Sequence, residues 1–293
     1  MSVESSELER LDYLERASKW FKVRAVSIVI IFAGVAVATI ASLSMMRGQL
    51  TLGSAQPTEM ARILATSAIN TLPKTLITSV FVAAWYVVLA LPLVNLARYF
   101  RISGGAVVAA VVAPSVAYPI SLAAMYNWLM ERAYLAVKEF LRKHISEFAT
   151  AFMSKPPKVN LILKLSSELT RTVTQAILPA NLVSLLPIIA LAVATYLVFK
   201  LSKVIKSSVV KALWVLYLVS IILAIASSLT PLISSASLGM LILVGAIGGI
   251  GFVINIVVAV LEWLTGSRIK DYVAEVRRSA EEAELLESAE TSG

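Results

Sequence analysis

Apolar and polar positions divide this chain into long uncharged runs separated by short charged segments. Residues 25–46 carry no charge over 22 positions, 75–97 none over 23, 102–130 none over 29, 172–199 none over 28 and 212–261 none over 50. About 20 apolar residues in a helix cross a hydrocarbon core of ~30 Å, so the first four runs each hold one crossing and the fifth holds two. The expected fold is therefore all-α and polytopic, with about six transmembrane helices and amphipathic interfacial helices beside them.

The segments between the runs have their own periodicity. Leu8, Leu11, Leu14, Ala17 and Phe21 recur at helical spacing, with Ser6 and Glu9 placed as a capping box, which predicts an amphipathic helix over 1–24. Its acidic residues come first and Arg16, Lys19, Lys22 and Arg24 last, an order that suits the helix dipole and a cytoplasmic headgroup surface. Residues 25–130 then hold the first three spans, with an interfacial helix near 57–72 bracketed by Pro57 and Pro73. The turn through Gly104 and Gly105 makes the second and third spans an antiparallel hairpin.

Residues 131–171 form the largest segment outside the runs. Tyr134, Val137, Leu141, Ile145, Phe148 and Phe152 follow one another at spacings of three or four, with Lys138, Arg142 and Lys143 off that stripe. Pro156 and Pro157 break the helix, and a second stripe at Ile162, Leu165, Leu169 and Val173 leads into the fourth span. This predicts a helix–Pro-Pro–helix hairpin whose apolar stripe docks on a partner, the bundle or the membrane surface, while its basic residues meet anionic lipid or a nucleic-acid backbone. Residues 172–264 hold the last three spans, and 265–293 form a charged helix, basic near the membrane and acidic beyond.

Composition narrows the functional classes. With 58% hydrophobic and 15% charged residues among 293, most of the chain belongs in lipid or against other spans. The first run is too long for the core of a signal peptide and reads as an uncleaved anchor. Cysteine is absent and His144 is the single histidine, so no thiolate or imidazole metal cluster is expected, and no cofactor. No phosphate-binding loop, dinucleotide fingerprint or internal repeat is present. All 18 carboxylates lie outside the middle of the expected spans, Glu262 coming closest at the end of the sixth, which counts against proton relays and intramembrane hydrolysis. Ser79, Ser115, Ser220 and Ser227 have no base beside them and read as hydrogen bonds across helix contacts. The expectation is a protein without enzymatic activity.

Two further sets remain. Gly245, Gly248, Gly249 and Gly251 fall in the sixth span at spacings that let helix backbones approach closely, within the chain or onto a neighbouring subunit. Asn95, Asn127, Asn181 and Asn255 lie at or near membrane depth and serve either as helix-contact amides or as pore lining. Pro92, Pro114, Pro119, Pro179 and Pro187 bend or end spans. Orientation is left open by the basic residues. Six crossings with an inner N-terminus place 15 Lys and Arg inside and 11 outside, and a re-entrant Pro114/Pro119 segment gives the same totals.

The amphipathic helix carrying Leu8 to Phe21, the six runs and the long connection over 134–173 make the layout similar to that of the polytopic channel subunit of the crenarchaeal Ced DNA-import system. It also resembles the multi-spanning inner-membrane subunit of type IV secretion machines. The cysteine-free, Ile/Val/Ala-rich composition suits a heat-loving archaeon. That resemblance implies a multi-pass subunit in the cell membrane, with cytoplasmic termini, that passes DNA together with a separate ATPase and small membrane subunits. A self-contained small-solute permease and a membrane-shaping protein are the other readings, and self-association is compatible with each.

Overall fold

A computed structural model describes residues 2–50, 76–153, 159–183, 185–233 and 238–291. Among them the chain is helical without strands: α1 (Ser2–Leu50), α2 (Leu76–Tyr99), α3 (Gly104–Met153), α4 (Val159–Ala176), α5 (Leu178–Val183), α6 (Leu186–Val204), α7 (Ser208–Ile233) and α8 (Leu238–Thr291). Among the described residues four stretches are long and apolar enough to cross a membrane: Gly104–Glu147, Leu186–Val204, Ser208–Ala226 and Gly249–Ala283. In the most apolar 18-residue window of each, at most 29% of the residues are buried inside the protein, as a lipid-facing bundle requires.

Three expected boundaries are not breaks. The amphipathic N-terminal segment and the first uncharged run form one helix, α1, of 49 residues. The third run continues into the amphipathic connection as α3, 50 residues with Pro114 and Pro119 inside it. The sixth run continues into the charged C-terminal segment as α8, 54 residues. No residue at these junctions removes a backbone donor, and Lys and Arg side chains can place their charge in water while their stems stay on apolar surface, so each helix passes through the polarity change unbroken. Because α3 does not reverse direction, Pro114 and Pro119 do not make a re-entrant loop. The expected interfacial helix near 57–72 and the Pro156–Pro157 break lie outside the described residues.

The long helix within the fourth uncharged run is shorter than the run. Helix α4 ends at Ala176, Ile177 turns, α5 takes six residues, and α6 starts only at Leu186. Pro179 and Pro187 sit in the first turns of α5 and α6, where a missing N–H costs nothing, and each restricts the residue before it.

The α2–α3 reversal is set by an arginine rather than by glycine. Arg101 has φ 57°. Its N–H bonds to the Arg98 carbonyl at 3.0 Å, and the Ile102 N–H reaches back to Ala97 at 2.9 Å, the paired bonds of a Schellman ending. Ser103 then caps α3, accepting from the Ala106 N–H at 3.4 Å. Gly104 and Gly105 are already helical.

The main core lies at one end of the bundle. It joins Leu14, Ala17 and Phe21 of α1, Leu93 and Leu96 of α2, Val107 and Val111 of α3, Leu197 and Leu201 of α6, Leu213 and Tyr217 of α7, and Ile269 and Val273 of α8. The stripe of the N-terminal helix is thus packed into the bundle rather than spread on a membrane surface, with Leu8 alone left exposed. Arg10 helps hold it there, donating to the Tyr99 carbonyl at the end of α2 at 3.2 Å.

Candidate functional site

Helices α1 and α8 run antiparallel and are joined at three levels. Farthest from the apolar runs, the Arg277 guanidinium meets Asp12 at 2.7 Å and Glu15 at 3.1 Å. One level in, the Ser18 hydroxyl donates to the Gly266 carbonyl at 2.7 Å. A Cβ on Gly266 would stand 2.7 Å from the Ser18 carbonyl oxygen and 3.0 Å from Lys22 Cγ, so only glycine lets the two backbones come this close. Innermost, Arg24 Nε lies 3.1 Å from Glu262 Oε1, and the Tyr217 hydroxyl of α7 donates to the same oxygen.

This innermost pair is buried: the Glu262 side chain is 0% exposed and that of Arg24 12%. The Arg24 guanidinium also sits 5.5 Å from the Tyr217 ring centroid, a cation–π contact that offsets part of its lost hydration. Among the described residues, Glu262 Oε2 and the Thr265 hydroxyl, both buried, meet no hydrogen-bond partner. Removing one member of such a pair strands the other charge, which typically costs about 3–5 kcal/mol. Sequence reasoning placed Arg24 against headgroups and Glu262 at a span end; their pairing corrects the first and gives the second a partner. A signal was present. An arginine opening the first run and a glutamate closing the last stand at the same depth whenever the number of crossings is even.

Farther out, hydrogen bonding from Lys19 is the main force holding the Glu15 carboxyl below the usual carboxylate range; partial burial opposes it, and the Lys19 and Arg277 charges assist.

The amides and glycines do not converge. Asn95 is buried and donates to the Leu91 carbonyl at 2.8 Å; Asn255 is exposed on α8 and donates to Gly251 at 2.8 Å. Each thus turns back on its own helix. Asn127 is exposed on α3, and the Asn181 side chain lies outside the described residues. Ser115 and Ser220 bond to Val111 and Leu216 of their own helices, at 2.6 and 2.8 Å, rather than across a contact as expected. Side chains 79 and 227 are outside the described residues, as are the surroundings of Gly245 and Gly248. A Cβ on Gly249 or Gly251 would meet nothing within 4 Å, so among the described residues the chain does not pack on that face. Among the described residues a close backbone approach occurs at Gly266.

The hairpin stripe is partly consumed within the chain. Val137 and Leu141 of α3 pack with Val173 and Leu169 of α4, and Tyr134 flanks them. Ile145 stays exposed, and side chains 148 and 152 are outside the described residues. Lys138, Arg142 and Lys143 are exposed. Lys143 pairs with Glu139 at 2.8 Å, and His144 lies 3.3 Å from Glu147. Beside this seam α3 and α4 flank an open cavity of about 550 Å³ whose lining is mixed polar and apolar, with Lys143, Arg171 and Gln175 exposed at it. No group of three His, Asp or Glu side chains that could hold a metal occurs among the described residues.

The fold and these sites define a class: an all-helical protein whose four long apolar helices are compatible with a multi-pass membrane protein. Within that class no family model, curated protein or solved structure matches the chain.

Proposed function

We infer that the protein is a six-crossing subunit of a membrane translocation or secretion assembly that works without enzymatic activity of its own. The observation that carries this reading is the α1–α8 pair. Two helices leave the apolar bundle side by side, joined by Arg277, Ser18–Gly266 and Arg24–Glu262, and so offer a firm charged stalk to a partner. The amides at membrane depth support an assembly subunit over a permease, since Asn95 and Asn255 bond to their own helices and do not converge on a solute site.

In this reading α1, α2, α3, α6, α7 and α8 each cross once. With α1, α2, α3, α6, α7 and α8 each crossing once, both termini, the α2–α3 turn and the α6–α7 turn share one side with 15 Lys and Arg against 11 on the other, and we assign that side to the cytoplasm. The α3–α4 hairpin then lies on the outer face. The resemblance to the Ced channel subunit makes DNA the cargo, a separate ATPase the motor and small membrane proteins the neighbours.

The test is a deletion strain scored for DNA uptake between cells. Uptake is expected to fall to background and to return with the parent gene. It should return only in part with Arg277→Glu, which reverses the outermost contact of the stalk while leaving the buried pair intact. Normal uptake in the deletion strain rejects DNA import. Full rescue by Arg277→Glu at parental protein level rejects the stalk as the working surface.

A further inference from the structure

The cavity between α3 and α4 has the size of a small-molecule site, for which about 300–1,000 Å³ is usual. Its two walls differ. On α3 the charged groups are already engaged, Lys143 with Glu139 at 2.8 Å and His144 with Glu147 at 3.3 Å, and the His144 and Phe140 rings lie 4.6 Å apart. On α4, Glu168, Arg171 and Gln175 stand at i, i+3 and i+7, one face of the helix turned into the cavity, while Leu165, Leu169 and Val173 occupy the other.

Glu168 and Arg171 are of opposite sign and three residues apart, a spacing at which such side chains commonly pair. Among the described residues neither forms an ion pair, with the other or with anything else. A carboxylate, a guanidinium and an amide therefore line one cavity in sequence, with the two charges offset by a rise of about 4.5 Å along the helix. Both charges reach water, and a ligand that engages the two at once carries both signs on a short skeleton.

We propose that this cavity binds a small zwitterion of the phosphoethanolamine type, its oxyanion on Arg171 and Gln175 and its ammonium on Glu168. A guanidinium meets phosphate oxygens in a forked geometry, which is why the anion is assigned to Arg171. The Phe140–His144 ring pair on the facing wall covers the short carbon link. The depth admits two sources. Glu131 and Arg132 close the uncharged run 102–130, so with α3 as a span the interface falls near them, and Phe140 lies eight residues beyond Arg132, about 12 Å by helix rise. The cavity is thus at the water side of the headgroup layer, within reach of a phosphatidylethanolamine headgroup or of the free solute. This goes beyond the assembly reading and does not depend on it.

The experiment uses the full chain in two arms. In detergent, free O-phosphoethanolamine and inorganic phosphate are titrated by calorimetry. In nanodiscs, thermal midpoints are compared between phosphatidylethanolamine and phosphatidylglycerol. The parent protein should favour the zwitterion over the plain anion in at least one arm, and the arm that responds identifies the source. Arg171→Gln should weaken zwitterion binding about tenfold by removing a charge-assisted bond. Glu168→Gln should abolish the preference for zwitterion over anion while leaving anion binding in place. Lys138→Gln, on the exposed face of α3, should bind as the parent does. All three change solvent-accessible polar groups, so parental thermal midpoints without ligand are expected and are checked first. Equal response to zwitterion and anion in the parent, no response in either arm, or parental binding by Arg171→Gln with Glu168→Gln combined would overturn the proposal.

Discussion

At the end where the termini leave the bundle, α1 and α8 are joined by backbone approach, buried charge and a core drawn from six helices. At the hairpin end, α3 and α4 meet along a thin apolar seam of Val137, Leu141, Leu169 and Val173, with an open cavity beside it. The first arrangement fixes relative position, because a buried pair and a glycine contact have one satisfactory geometry. The second fixes much less. A seam a few side chains wide can open locally at a cost well below that of global unfolding, which is where binding elements are usually found.

The strongest test of that contrast is at the buried pair. Glu262→Ala should lower stability by about 3–5 kcal/mol, because Arg24 keeps its burial and loses its counter-charge. Thermal unfolding in detergent measures this, and adding Arg24→Met to the same chain should recover much of the loss. If Glu262→Ala unfolds with the parent, the pair does not hold the termini end together.

Next in size is the hairpin. Leu141→Ala should cost about 2–4 kcal/mol of local stability and speed amide exchange in α4, while exchange around Leu197 and Leu213 in the main core stays slow. Faster exchange throughout would mean that the two ends form one cooperative unit.

A smaller effect is expected at the glycine contact. Gly266→Ala places a methyl against the Ser18 carbonyl and should cost about 1–3 kcal/mol, whereas Gly249→Leu should be almost silent in the isolated chain because no described atom lies within 4 Å of a Cβ there. Loss of an assembled state by Gly249→Leu, with the monomer unaffected, would put a neighbour on that face.

The smallest effect is acid sensitivity at the outer stalk. The folded-state pKa of Glu15 lies below its unfolded value, so its contribution is fully present above the unfolded pKa and is lost as pH falls through the folded one. Amide exchange near Glu15 should rise in that acid window before exchange near Phe21 does. The reverse order would remove the carboxylate–Lys19–Arg277 contact as a fastening.

The helical class and the positions of most apolar runs were legible because lipid leaves a span little choice but a continuous apolar helix. The packing of Leu14, Ala17 and Phe21 was legible as a stripe but not as a destination, since the same periodicity suits a membrane surface and a bundle core. Glycine spacing did not point to Gly266, for a related reason. Gly245 and Gly249 match a packing pattern that depends on a helix being opposite, whereas Gly266 stands alone in sequence and is defined by Ser18, 248 positions away. The cavity was out of reach, because Glu168, Arg171 and Gln175 read as an ordinary solvated face until α3 lies across from them.

Helix α3 has one consequence that concerns mechanics rather than binding. It is one continuous helix of 50 residues, up to about 75 Å along its rise, held by Val107 and Val111 in the core at one end and by Val137 and Leu141 in the hairpin seam at the other. A rod pivoting near its middle acts as a lever: a tilt of roughly 5° would move each tip by about 3 Å, in opposite directions. Strain applied where the termini sit would therefore arrive at the α4 cavity as a displacement.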